Sequence, residues 1–347
     1  MKSKLTALNP RKLNLSQTGS AIGLVLLVIV AAIATQGNFL SASNLTNVFR
    51  QVTIMGFASL GMCIVIITGN IDLSIGSVVG MSAMISGTLM SGGMHPIPAI
   101  LITLVACLLV GMPTPLIVLI VLLSGMAAGL INGVILSVWK IESFVVTMGM
   151  QVVCFGMAML VSGNRTVIVP GNLLSQYTFL TNLSQWQITV IPKVLIFPVM
   201  FLIMLAFYLL FWVFTARTKM GRYIFALGGN EEVSYISGVN VTIVRIVSYV
   251  ISGFTAAIAG IFMFSRSMCG DPTAGNSLGM YVVAAVVVGG TKMSGGRGNV
   301  LFNIMGIFVI GIINNLLNLV GAPYQLQQII QGCIIILAVV MSSPKRK

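Results

Sequence analysis

The chain has 347 residues, 57% of them hydrophobic and only 7% charged, with a mean hydropathy of +1.07. Soluble domains carry about 25% charged residues, so this composition excludes an ordinary water-soluble fold and points to a lipid bilayer. The 18 Lys and Arg against 5 Asp and Glu give +13, yet the basic residues stand at segment ends and in loops and the aromatics lie within apolar runs. That pattern argues against nucleic acid as a partner; the charge sets membrane orientation instead.

Apolar stretches long enough to cross a core of about 30 Å as helix occur at 19–37, 49–69, 72–91, 97–138, 143–162, 191–215, 245–266, 298–320 and 324–342, with a shorter one at 279–290. The expected fold is therefore all-α, a polytopic integral membrane protein. Within 97–138, Pro113 and Pro115 are expected to kink or break a helix. Ala32-Ile33-Ala34 resembles a signal-peptide cleavage site, but the long basic region before the first span and its continuation to Leu40 favour retention as a helix. Lys2, Lys4, Arg11 and Lys12 precede that span, and Lys345, Arg346 and Lys347 follow the last. Both termini are expected on the cytoplasmic side by the positive-inside rule, which makes the number of crossings even. Counting 97–138 once and 279–297 as a short broken segment gives about ten transmembrane helices, with eight and twelve as alternatives. Residues 1–18 then form a cytoplasmic tail, 19–342 the transmembrane domain with a cytoplasmic loop at 216–244, and 343–347 a basic cytoplasmic tail.

Two glycine-rich segments follow apolar runs: Gly69-Asn70-Ile71-Asp72-Leu73-Ser74-Ile75-Gly76 and Gly289-Gly290-Thr291-Lys292-Met293-Ser294-Gly295-Gly296. They share Gly, Ser and Gly at identical offsets. Two related halves with broken helices are one reading, since many transporters are built that way; chance recurrence among 37 glycines is the other. Asp72 stands out, because the remaining acids, Glu142, Glu231, Glu232 and Asp271, fall in loops or at span ends. An ionisable residue at membrane depth is costly and usually functional, while near an interface Asp72 would serve as a helix cap. Asn70, Asp72 and Ser74, with Thr291, Lys292 and Ser294, are the candidates for a translocation pathway or gate.

The 217–245 loop contains Gly228-Gly229-Asn230-Glu231-Glu232 and Ser237-Gly238-Val239-Asn240, turn residues bracketing a short helix-compatible stretch. Such a projection is a handle for a soluble partner; the plain alternative is a solvated loop. Catalytic chemistry is not supported. The chain has no GxxxxGK[ST] phosphate-binding loop, no GxSxG with acid and His partners, one histidine (His95), and five scattered cysteines without a CxxC pair. Neither a metal site nor a resident cofactor is expected.

These segments together resemble a family. The Gly69–Gly76 segment, Phe225-Ala226-Leu227-Gly228-Gly229-Asn230 with Glu232, Ser237-Gly238-Val239-Asn240-Val241, and Val288-Gly289-Gly290-Thr291 through Ser294-Gly295-Gly296-Arg297-Gly298 are similar to the permease subunits of bacterial ABC importers of the ribose, galactose and xylose type. The resemblance covers nearly the whole chain. It implies a ten-helix permease of the bacterial inner membrane that works with a second permease copy (identical or a close paralogue), cytoplasmic ABC ATPase subunits and a periplasmic or extracellular sugar-binding protein, moving a small solute through the lipid bilayer. It also implies a coupling role toward the ATPase for Gly228, Gly229, Asn230, Glu232, Ser237, Gly238 and Asn240. The chain departs from the family at Glu231, where proline is more frequent, at Gly279 and Tyr281, where acids are frequent, and in the length of 97–138. An ion-coupled secondary transporter of a small solute is the alternative, with Asp72 as its one fair coupling acid.

Overall fold

The computed structural model describes residues 15–91, 113–174, 177–191 and 195–342. Twelve helices of six residues or more organise these segments: α1 (Leu15–Ala34), α2 (Ala42–Ile67), α3 (Ile75–Ser91), α4 (Thr114–Trp139), α5 (Ser143–Ser162), α6 (Val199–Arg217), α7 (Lys219–Gly229), α8 (Glu231–Ile236), α9 (Val241–Ser267), α10 (Leu278–Val288), α11 (Val300–Leu319) and α12 (Tyr324–Ser342). Among the described residues α2, α4, α5, α6, α9 and α11 are long and apolar enough to cross a membrane, and Ala21–Ala34, Ile75–Ser91, Leu278–Val288 and Tyr324–Leu337 are shorter apolar helices. Small strands β1 (Val167–Ile168) and β4 (Cys269–Gly270) pair antiparallel, as do β2 (Gln187–Ile191) and β3 (Leu195–Pro198).

α2 is the axis of the bundle, buried almost throughout from Val52 to Ile67. Lipid tails are as apolar as leucine, so helices in a bilayer associate through close packing and hydrogen bonds rather than hydrophobic transfer. Both devices are present. Gly125, Gly129 and Gly133 form a stripe along α4, and a Cβ at each would collide with the α9 backbone at Gly253, Tyr249 and Ile246 in turn. The descending order on α9 shows that the two helices run antiparallel. Tyr208 on α6 donates to Gly56 O (3.0 Å), and Asn303 on α11 donates to Ser59 O (3.0 Å), tying both helices to α2 with buried polar groups. On the outside Val25, Ile29, Leu119, Leu123, Val152, Leu209, Leu210, Ile336 and Leu337 stay exposed. So much outward apolar surface suits a surrounding of hydrocarbon.

Several element boundaries differ from the sequence reading. The apolar stretch 191–215 divides into strand and helix: Ile191 ends β2, Leu195–Pro198 form β3, and Pro198 stands at the N-cap of α6. Pro113, the N-cap, and Pro115, in the first turn, stand at the start of α4, where a missing N–H costs nothing. The remainder of the 97–138 stretch, residues 97–112, lies outside the described residues, as do His95, residues 1–14 and 343–347. The 217–245 loop is mostly helical, because Thr218, Asn230 and Asn240 each accept a backbone N–H and cap α7, α8 and α9.

Candidate functional site

The glycine-rich segments meet at one end of the bundle. α2 and α10 end in the same turn: Gly69 N–H bonds Ile66 O and Asn70 N–H bonds Val65 O, while Gly290 N–H bonds Val287 O and Thr291 N–H bonds Val286 O. Gly69 (φ +82°) and Gly290 (φ +90°) supply the left-handed residue this helix ending requires. The equivalence is shifted by one from the pairing read in the sequence, which aligned Gly69 with Gly289. The same ending follows α5 at Gly163, α8 at Gly238 and α11 at Gly321, so it is a recurrent stop and not a mark of duplicated halves. Gly228, near the end of α7, joins the two breaks. A Cβ there would run into the Ile67 carbonyl and the Gly296 amide, and Gly296 N–H itself donates to Ile67 O at 2.9 Å.

Asp72 sits in the first break and is 2% exposed. Its Oδ1 accepts from the Ser74 amide (3.1 Å) and hydroxyl, and its Oδ2 accepts from Ser252 Oγ on α9 (2.7 Å). Asn132 Nδ2 on α4 donates to Ser74 Oγ (3.0 Å), and Tyr249 Oη on α9 donates to the neighbouring Ile71 O (3.2 Å). Asp72 thus bonds the backbone of the turn entering α3, as a cap does, and it is buried against Ser252 from another helix. Asn70 is half-buried and folds back on Thr68 (3.1 Å to Oγ1).

The second break is built differently. Thr291 is buried against Cys63 (3.5 Å), Lys292 and Ser294 are exposed, and the turn closes through Lys292 N–H to Arg297 O and Gly295 N–H to Lys292 O, both 3.0 Å. The six pathway candidates therefore do not line one surface. Asp72 and Ser74 share a buried network, Thr291 belongs to another contact, and Lys292 and Ser294 face outward.

Beside the breaks, α8 forms a short surface helix. Asn230 Oδ1 caps it by accepting from Val233 N (3.0 Å), Ser237 Oγ donates back to Val233 O (2.7 Å), Gly238 (φ +81°) ends it, and Asn240 Oδ1 caps α9 (3.1 Å to Ile243 N). Gly229 and Glu232 are exposed, and with Tyr235 73% and Ile236 76% exposed next to Val233 the helix presents an apolar face outward. The sequence reading chose Glu232; the structure gives the ion pair to Glu231, whose Oε2 lies 2.6 Å from the nearly buried guanidinium of Arg245. A cavity of about 270 Å³ between α8 and the first break is lined by Asn70, Lys140, Glu142, Ser143, Glu231 and Arg245, among others.

Arg245, Tyr249, Ser252 and Asn132 escaped the sequence reading. Their signal was present for three of them: Arg245, Ser248, Tyr249, Ser252 and Thr255 recur along α9 at helical spacing and are all buried, a polar stripe inside an otherwise apolar span.

Comparison with known proteins assigns residues 44–339 to the family described as branched-chain amino acid transport system / permease component. The chain is 32% identical to the ribose import permease protein RbsC of Bacillus subtilis (strain 168) across 95% of its own length and 94% of that protein. It is 29% identical to the xylose transport system permease protein XylH of Escherichia coli (strain K12) over 97% and 94% of the two chains. The D-allose transport system permease protein AlsC of the same strain is also 29% identical, over 93% and 90%. No solved structure matches significantly. With a match spanning most of its length and full-length relatives of this kind, the chain belongs to the family of permease components of transport systems.

Proposed function

We propose that this chain is the permease subunit of an ATP-driven ABC importer in the bacterial inner membrane, admitting a monosaccharide or similar small polar solute by alternating access. The full-length likeness to permeases named for ribose, xylose and allose carries this reading. Those names favour a sugar over the amino acid of the broader family description. The chain performs no covalent chemistry itself. ATP hydrolysis falls to a separate ABC ATPase subunit, solute delivery to an external binding protein, and the second half of the pathway to a second permease copy.

Orientation follows from charge. Lys140, Arg217, Lys219, Arg222, Arg245, Lys292 and Arg297 belong to the α8 end, against Arg50, Arg165 and Arg266 at the other. The positive-inside rule makes the α8 end cytoplasmic. α1 leaves that end and α12 returns to it, which supports ten crossings with both termini cytoplasmic. α8, apolar on its exposed face and set among basic residues, is the docking element for the ATPase, with Glu232 and Ser237 within its reach. The ion-coupled alternative is disfavoured by the enclosure of Asp72, whose oxygens are occupied by Ser74 and Ser252.

The test is a cysteine at Ser237 in the chain co-expressed with its ATPase. Crosslinking to that subunit, with loss of ATP-driven uptake in Gly238→Trp, is the expected result. Uptake by the chain alone under a proton or sodium gradient, without crosslinking, refutes the reading.

A further inference from the structure

We propose that the Glu231–Arg245 ion pair is the link through which motion of α8 reaches the Asp72 break. The inference rests on the coupling reading of α8 and specifies its route. Arg245 is the one residue of α9 in an ion pair among the described residues, and Glu231 Oε2, at 2.6 Å, is its partner. Arg245 is 8% exposed and its Nε has no partner of its own among the described residues. Removing Glu231 therefore takes from a largely buried cation its ion-pair partner, an unfavourable change. α8 and α9 are thereby held together by charge, although the Gly238 turn between them would let α8 swing.

The consequence lies along α9. Residues 245, 249 and 252 are spaced by four and then three, so they share one helical face over about two turns, or about 10 Å. Tyr249 holds Ile71 O and Ser252 holds Asp72 Oδ2, the backbone and the side chain of the same break. The stripe Gly125, Gly129 and Gly133 seats α9 directly on the α4 backbone, so α9 moves as a stiff element rather than bending around side chains. A displacement of α8 pulls on Arg245, and α9 delivers it to Ile71 and Asp72. Asn70 is two residues before Asp72 and lines the cavity against which Glu231 and Arg245 also lie.

The experiment uses the full chain with its native cysteines replaced by serine, purified with its co-expressed ATPase and carrying Asn70→Cys as a reporter, and a membrane-impermeant maleimide. Labelling rates are compared before and after trapping the ATPase with ATP and orthovanadate. In the otherwise native chain trapping changes the rate by about fivefold or more, the low end of ordinary couplings between sites. Glu231→Gln, a half-exposed and nearly isosteric change, removes that response when rates are compared at equal amounts of trapped nucleotide. The charge-reversed pair Glu231→Arg with Arg245→Glu restores at least half of it. A full response in Glu231→Gln overturns the link, and so does a reversed pair that traps nucleotide yet responds no better than the single variant. A native chain that binds no ATPase refutes the coupling reading itself, and the link with it.

Discussion

The two helix breaks at the α8 end look alike in sequence and are held in opposite ways. The α2–α3 break is pinned by side chains: Asp72 accepts from Ser74 and from Ser252, and Asn132 completes the network. The α10–α11 break is pinned by backbone, through Lys292 N–H to Arg297 O, Gly296 N–H to Ile67 O and glycines at positive φ. Of the polar residues at the second break, Thr291 is buried against Cys63 of α2, while Lys292 and Ser294 point outward. The difference is a matter of neighbours. α9 and α4 bring hydroxyl and amide groups to the first break, whereas α7 brings Gly228, which offers only main chain. Glycine spacing thus reports where the backbone turns, and the elements packed against the turn decide whether its polar side chains matter.

That contrast can be broken by substitution. The largest effect is expected where both breaks depend on one residue. Gly228→Val drives a branched side chain into the Ile67 carbonyl and the Gly296 amide, and overpacking of this kind costs about 3 kcal/mol or more against a backbone that cannot yield. Loss of monodisperse protein in detergent is the readout, and normal yield would contradict the close approach.

Next is Asp72→Ala, which strips acceptors from Ser74 and Ser252 and is expected to cost about 2–3 kcal/mol, the range for leaving buried donors unpaired. Thermal unfolding of the purified chain measures it. Asp72→Asn keeps one acceptor and can turn its amide toward Ser252 Oγ, so assembly is expected to survive with transport reduced more than stability. Wild-type uptake would reduce Asp72 to a dispensable cap. At the second break, Gly295→Ala combines a φ of +79° with pressure on Gly228 O, and about 1–2 kcal/mol is expected from the left-handed conformation alone. The smallest effect belongs to Lys292→Ala, an exposed side chain with no bond of its own among the described residues, which should fall within about 0.5 kcal/mol. A Lys292 effect as large as that of Asp72 would erase the distinction between the breaks.

Much of this architecture is legible in the sequence. α5 and α12 match their apolar stretches to the residue, since their ends are set by composition alone: Gly163 stops α5, and Pro323 precedes α12. The 191–215 stretch misled because β2 and β3 are as apolar as a helix would be, and only Pro198 separates them from α6. At the site, the glycine segments, the α8 cap Asn230 and the α9 cap Asn240 are readable, being local in the chain. The pairing of Ser252 with Asp72 and of Asn132 with Ser74 is not, because the partners lie 180 and 58 positions apart in the chain. Glu231 reads as a loop acid and a departure from the family, and Arg245 stands where the 217–245 loop meets the 245–266 span; that the two pair is not visible in the chain.

Hydrogen exchange across the two breaks tests their separate fastening most directly. In Asp72→Asn, amides of residues 70–75 are expected to exchange faster than in the native chain while those of 291–298 keep their protection. An equal rise at both breaks would mean that one shared structure holds them, and would contradict the account.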